Sequence, residues 1–156
     1  MDIMSMEDML AGIVTAALWA DLQWPEDDPQ GRGGDNGESG GGESEFSIVD
    51  VDAESLDKLR ALCYEFVSAN LHDVALYVAA CEDGTLRGYN RGEGSPLEWL
   101  GHDVWLSAGG HGTGVWDRGL GALGDRLHEA IKPVFGRFEG SGLPWVMSNG
   151  MVSFIQ

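Results

Sequence analysis

Between Met6 and Trp24, the side chains of Met9, Leu10, Ile13, Val14, Ala17 and Leu18 recur at spacings of three and four. That period marks a helix with one apolar stripe, and the stripe obliges the rest of the chain to supply a layer for it to bury against. Pro25 closes the segment, because its ring cannot continue the hydrogen-bond ladder. A second run starts after Asp52, with Leu56, Leu59, Leu62, Cys63, Phe66 and Val67 on one side. It continues with a bend through Leu71, Val74, Val78 and Cys81 to Gly84. Ser95-Pro96-Leu97-Glu98 joins a capping serine, a proline at the first helical position and a glutamate three residues beyond the cap, which predicts another short helix. With Asp117 as its cap, a last helix carries Leu120, Leu123, Leu127 and Ile131 to Lys132-Pro133. Gly119, Gly121 and Gly124 each cost such a helix about 1 kcal/mol against alanine, so another backbone must approach that face closely, and a sheet is the expected neighbour.

Two alternating runs, Trp145 to Ser148 and Met151 to Phe154, flank Asn149-Gly150 and predict a hairpin with a two-residue turn. In that register Trp145, Met147, Val152 and Phe154 share the buried face. Val104 and Leu106 alternate with Trp105, so Asp103 to Ser107 is the expected third strand. The predicted architecture is therefore an α+β domain, residues 1–156, with several helices packed on a small antiparallel sheet built from 103–107 and the hairpin 145–154. Gln30 to Ser44 contains seven glycines and no apolar side chain, which marks 30–44 as a flexible Gly/acidic insertion loop.

Charge is distributed unevenly. Residues 1–57 hold 15 acidic residues against Arg32 alone, while residues 58–156 hold 11 against eight basic ones, which together give the net −17 of the chain. A balance of this sign repels nucleic-acid phosphates and anionic lipid, so neither nucleic acid nor membrane is an expected direct partner. No stretch reaches the roughly 18 apolar residues of a spanning helix. The segment Met9 to Ala20 is too short for one, follows Asp2, Glu7 and Asp8, and has no basic flank to mark a signal peptide, so a cytoplasmic product is expected. Cys63 and Cys81 are a single pair, and reduced, partly buried thiols are the default for them.

Few residues suggest chemistry. Gly109 to Gly114 has the look of a phosphate cradle, but it lacks the Lys-Ser/Thr ending of a nucleotide loop, and Asp117 would repel the phosphate. His102, Asp103, His111, Asp117, Asp125 and His128 have ligand chemistry without ligand spacing, so no metal or other cofactor is expected. Ser107 and Ser148 lie in no Gly-x-Ser-x-Gly elbow, and no catalytic set stands out. Arg118 is a candidate to fold back onto the carbonyls of the Gly-rich loop, while Asp117-Arg118 and Asp125-Arg126 otherwise form a solvated helix face. Six tryptophans in so short a chain suggest one or two exposed anchors, with Trp99 and Trp116 the candidates.

The segment Gly101-His102-Asp103-Val104-Trp105-Leu106, followed by Gly110-His111-Gly112-Thr113-Gly114-Val115-Trp116-Asp117-Arg118-Gly119, resembles a family of small, largely uncharacterised tailed-phage and prophage proteins. Members of that family show Gly-His-Asp-Phe-Trp-Leu and then Gly-His-Gly-x-Gly-Phe-Trp-Asp-Arg-Gly. Both phenylalanines are valine here, and Ser107-Ala108-Gly109 stands where members often carry Thr-Arg-Asn. The resemblance implies a phage accessory role in the host cytoplasm. It marks His111, Trp116, Asp117 and Arg118 as the motif core, structural in preference to catalytic.

Together these features point to an acidic accessory protein that binds a basic host nucleic-acid-binding protein, in the manner of an anti-CRISPR or anti-restriction inhibitor, with carboxylates standing in for phosphates. The candidate acidic face comprises Asp2, Glu7, Asp8, Asp21, Asp50, Asp52, Glu54 and Asp57. The alternatives are a small enzyme acting on a nucleotide or phosphate through the His111 loop, and a structural or assembly protein of the virion.

Overall fold

The computed structural model describes residues 3–33, 39–89, 92–136 and 142–155. Among the described residues, five α-helices, α1 (Ile3–Asp21), α2 (Ala53–Ala69), α3 (Leu71–Glu82), α4 (Pro96–Ala108) and α5 (Ala122–Phe135), accompany a two-stranded antiparallel sheet of β1 (Trp145–Val146) and β2 (Val152–Ser153), an α+β fold. The break between α2 and α3 falls at Asn70, whose side-chain amide donates to the carbonyl of Phe66. Ser95 caps α4 by accepting from the Glu98 amide at 3.2 Å, with Pro96 in the first turn.

α4 is the centre of the domain. It packs against α1 over its whole length, and α3, α5 and the 3-10 turn Val115–Asp117 also pack against it. The crossing with α1 is close because each helix offers a glycine to the other. A Cβ on Gly12 would lie 1.9 Å from the Glu98 carbonyl oxygen, and one on Gly101 would lie 2.1 Å from that of Met9. At that separation the apolar stripe of α1, including the fully buried Met9, Leu10, Ile13 and Ala16, makes van der Waals contact along both helices.

Asp103 to Ser107, expected to be a strand, forms the last turns of α4. All five of these residues are buried, because α4 is enclosed on most sides. A helix wrapped in this way has no polar face to reveal its period, and over five residues its pattern is the same as that of a strand. The sheet consequently has no third strand from this segment. The hairpin is instead extended by single parallel bridges, Gln23 to Trp145 on one side and Val51 to Val152 on the other.

The hairpin register also differs from the expected one by one residue: Trp145 faces Ser153 and Val146 faces Val152. Within the turn only Gly150 takes a positive φ, 84°. Asn149 therefore cannot serve the two-residue turn, and the loop spans Ser148 to Gly150, with the Gly150 amide donating to the Met147 carbonyl. The slip moves Trp145 off the Val152 and Phe154 face, and its indole N–H donates to the Ile155 carbonyl at 2.9 Å. Ser55 in the first turn of α2 ties the hairpin down, its Oγ accepting from the Phe154 amide at 2.8 Å.

Asp117 does not cap α5. It closes the 3-10 turn, and Gly121 precedes the helix. Gly124 has the backbone neighbour its presence demanded, since a Cβ there would meet the Val115 carbonyl at 2.9 Å; that neighbour is the 3-10 turn and not a sheet. Beside the Gly-rich stretch, Gly40 and Gly41 donate to the carbonyls of Leu22 and Trp19 and so finish α1, and Gly42 is buried on Leu22. Residues 34–38 of the expected insertion lie outside the described residues. Cys63 and Cys81 are both buried free thiols, each pushed up to about 12 by burial.

The crossing can be tested by Gly12→Ala. The added methyl has only backbone to displace, so the loss of stability in urea is expected to be about 3 kcal/mol, whereas Gly31→Ala, which meets nothing within 4 Å, is expected to lose about 1 kcal/mol for its positive φ alone. Equal losses at the two sites would contradict the close approach.

Candidate functional site

The two halves of the Gly-His-Asp and Trp-Asp-Arg motif meet at one carboxylate. Asp103, in the middle of α4, has no solvent exposure. Arg118 comes from the loop after the 3-10 turn and grips it bidentately, with Nη2 at 2.6 Å from Oδ1 and Nε at 3.1 Å from both oxygens. Tyr77 of α3 donates its hydroxyl to Oδ2 at 2.8 Å. Burial opposes the Arg118 charge, but the hydrogen bonds and charge of Asp103 outweigh it, and the guanidinium pKa lies above its usual value. The Tyr77 phenol is pushed well up by burial first and by the Asp103 charge second. Arg118 does not fold back onto the Gly-rich loop; its own carbonyl accepts from the Arg87 amide at 2.9 Å, which ties in the segment after α3.

The Gly-rich loop 109–114 joins helix to helix and is held by side chains at both ends. His111 Nε2 lies 2.8 Å from Asp21 Oδ2, and the same oxygen accepts from the Trp105 indole at 2.7 Å. Ser107, one of the candidate nucleophiles, accepts from the buried Val115 amide with its Oγ. Thr113 donates to Asp117 at 2.7 Å. Trp116 is exposed at 44% and lies edge-to-face with His128, whose buried Nδ1 has no hydrogen-bond partner among the described residues. Trp99 is half-buried, and Trp19, not anticipated as an anchor, is the more exposed at 51%. Arg126 reaches across to Asp73 of α3 at 3.0 Å, while Asp125 is exposed in the first turn of α5. Ser148 is exposed in the hairpin turn. Among the described residues no group of three or more His, Cys, Asp or Glu side chains is placed to hold a metal ion.

The acidic residues divide into groups. Glu7 and Asp57 converge on Arg60, at 2.6 and 2.9 Å. Asp52 and Glu54 sit at the positive end of α2, where a negative charge is favoured, and Asp50 closes a capping box with Ser47. Asp8 accepts from the Ser95 hydroxyl. Asp21 is apart from the others, at the far end of α1 about 21 Å from Glu7, and is spent on Trp105 and His111. Asp2 lies outside the described residues. A further acidic group not singled out from the sequence forms after α1: Arg32 pairs with Asp28 at 2.7 Å and with Glu45 and lies 3.4 Å above the Trp24 ring, while Glu26, Asp27 and Glu43, within two residues of those partners in the chain, are exposed. The only sequence signal for it is the density of acids around a lone arginine.

The chain matches no family model, no curated protein and no solved structure.

The Arg32 hydrogen bonds hold the Asp28 carboxyl down to about 2, against an ordinary value of 3.8. A carboxyl depressed on folding adds stability above its unfolded pKa and loses it as pH falls through the folded one. Asp28→Asn is therefore expected to lower the melting temperature between pH 5 and 7, with the difference from wild type closing between about pH 4 and pH 2. A difference that persists unchanged at pH 2 would contradict the pair.

Proposed function

We propose that this chain is an acidic phage accessory protein that acts in the host cytoplasm by binding a basic nucleic-acid-binding host protein, in the manner of anti-CRISPR or anti-restriction inhibitors. The observation that carries the reading is how the positive charge is used. Arg32, Arg60, Arg118 and Arg126 are each held in ion pairs with carboxylates of the chain itself. Glu26, Asp27 and Glu43 after α1 and Glu54 on α2 are exposed acids outside these pairs, and on a chain of net charge −17 the exposed Lys58, Arg87 and Lys132 do not balance the excess of acids. Exposed carboxylates offer a basic groove the sign of a phosphate backbone, and long-range steering speeds the encounter. The motif residues support this division of labour, since Asp103, Arg118, His111 and Asp117 are engaged in holding loops and helices together.

The test is affinity capture from host lysate, followed by titration of the captured protein. Proteins with a nucleic-acid-binding groove are expected to be enriched and to be displaced by duplex DNA, with affinity falling about tenfold or more between 50 mM and 300 mM salt. The triple variant Glu26→Gln, Asp27→Asn, Glu43→Gln is expected to weaken the complex while melting as wild type. Capture of no such protein, or binding indifferent to both salt and DNA, would overturn the reading.

A further inference from the structure

Gly12 and Thr15 of α1 and Glu98, Trp99 and His102 of α4 line a cavity of about 220 Å³, with the exposed Glu93 at its mouth. Gly12 is also the residue at which α1 meets the α4 backbone, a Cβ there lying 1.9 Å from the Glu98 carbonyl oxygen. Trp19, one turn beyond Thr15, stacks on the ring of the lining residue His102 with centroids 6.0 Å apart and stands half in solvent. Apolar surface dominates the walls, and their acidic members are Glu98 and Glu93.

Glu98 is the unusual member. It is half-buried, and among the described residues its carboxylate has neither a hydrogen-bond donor nor an ion-pair partner. It packs so closely on Gly94 that a Cβ there would lie 2.5 Å from Oε2. Burial, and then the charge of Asp8, raise its pKa, as expected of a carboxylate that lacks a counter-ion. The neighbouring groups do not supply one. Burial lowers the His102 pKa and keeps that ring neutral near pH 7. Arg118, with its guanidinium carbon 5.7 Å from the Trp99 centroid, is committed to Asp103. The first turn of α4 favours the negative charge of Glu98 without supplying a cation. An aromatic-walled cavity with a carboxylate that has no cationic side chain beside it among the described residues is complementary to a flat cation, which can fork onto the carboxylate and lie against an indole.

We propose that this cavity receives an arginine side chain of the basic partner, with the guanidinium paired to Glu98 and lying against Trp99, and with Trp19 covering the stem. The assignment rests on the function proposed above, and it specifies where the partner is read in addition to being attracted. Arginine is favoured over lysine because the planar guanidinium can satisfy carboxylate and ring together, while an ammonium is a compact, strongly hydrated point charge. The cavity has the size of one side chain and not of a cofactor, which suits a residue presented by a larger surface.

The experiment titrates the full chain with two short peptides, one with a single arginine among neutral residues and its lysine counterpart, followed by the NMR signals of the tryptophan indoles and histidine rings. The arginine peptide is expected to shift Trp99, Trp19 and His102 saturably, and the lysine peptide to bind at least about threefold more weakly. Glu98→Gln is expected to cost about tenfold in affinity. Trp19→Ala, which removes an indole standing half in solvent, is expected to weaken binding as well, with its melting temperature measured alongside. Equal binding of the two peptides, indifference to Glu98→Gln, or no saturable shift would each overturn the assignment. Lysate capture separates the two proposals. If Glu98→Gln captured the host protein at the wild-type level, the acidic-surface reading would stand and the arginine site would fall. If wild type captured no basic protein yet bound the arginine peptide, the guanidinium chemistry would stand and its assignment to a partner would fall.

Discussion

A carboxylate with no access to water, Asp103 at the centre of α4, sets the terms for much of this fold. Taking such a charge out of solvent costs several kcal/mol unless a counter-ion and hydrogen bonds meet it. Arg118 and Tyr77 together occupy both of its oxygens. Because Arg118 lies 15 residues downstream and Tyr77 lies 26 upstream, satisfying one group fixes three segments at once. The loop between α4 and α5 must return to the helix it just left, α3 must lie alongside, and the segment after α3 is held through the Arg118 carbonyl. The long motif from Gly101 to Gly119 thus has an architectural explanation: its Asp and Arg are two ends of one clasp, and its glycines allow the return.

The clasp works only because the helices around it approach closely. Gly12 and Gly101 let α1 and α4 meet at backbone distance, and Gly124 does the same for α5 against the turn Val115–Asp117. Dispersion attraction along these crossings offsets the cost of glycine inside a helix. The cavity beside Glu98 is lined by residues of the same two helices. Packing and the proposed recognition site therefore share α1 and α4.

Much of this is legible in the sequence, and unevenly so. α2 and α3 are visible because half of each surface faces water and preserves the period, and α1 because its apolar spacing runs over several turns to a clear stop at Pro25; the serine cap of α4 is visible because capping is local chemistry. The body of α4 is hidden by its enclosure, and the hairpin register by a choice of turn that Asn149 declines. For the site, the motif residues stand out, but their partners do not: nothing near Tyr77 or Asp21 in the chain announces a contact 26 or 84 residues away. Charge counts carry no direction, so in the sequence the acidic residues suggest a single face. Folding places them around separate arginines and helix ends, with Asp21 turned to an internal role.

If Asp103 and Arg118 form one energetic unit, a double-mutant cycle measures it most directly. With Asp103→Asn, Arg118→Met and the double variant unfolded in urea, each single change is expected to cost about 3 to 5 kcal/mol, because it leaves a buried partner unmatched. The double variant is expected to cost little more than either alone, a coupling of about 2 kcal/mol or more. Additive losses, or single variants as stable as wild type, would contradict the claim that this pair organises the domain.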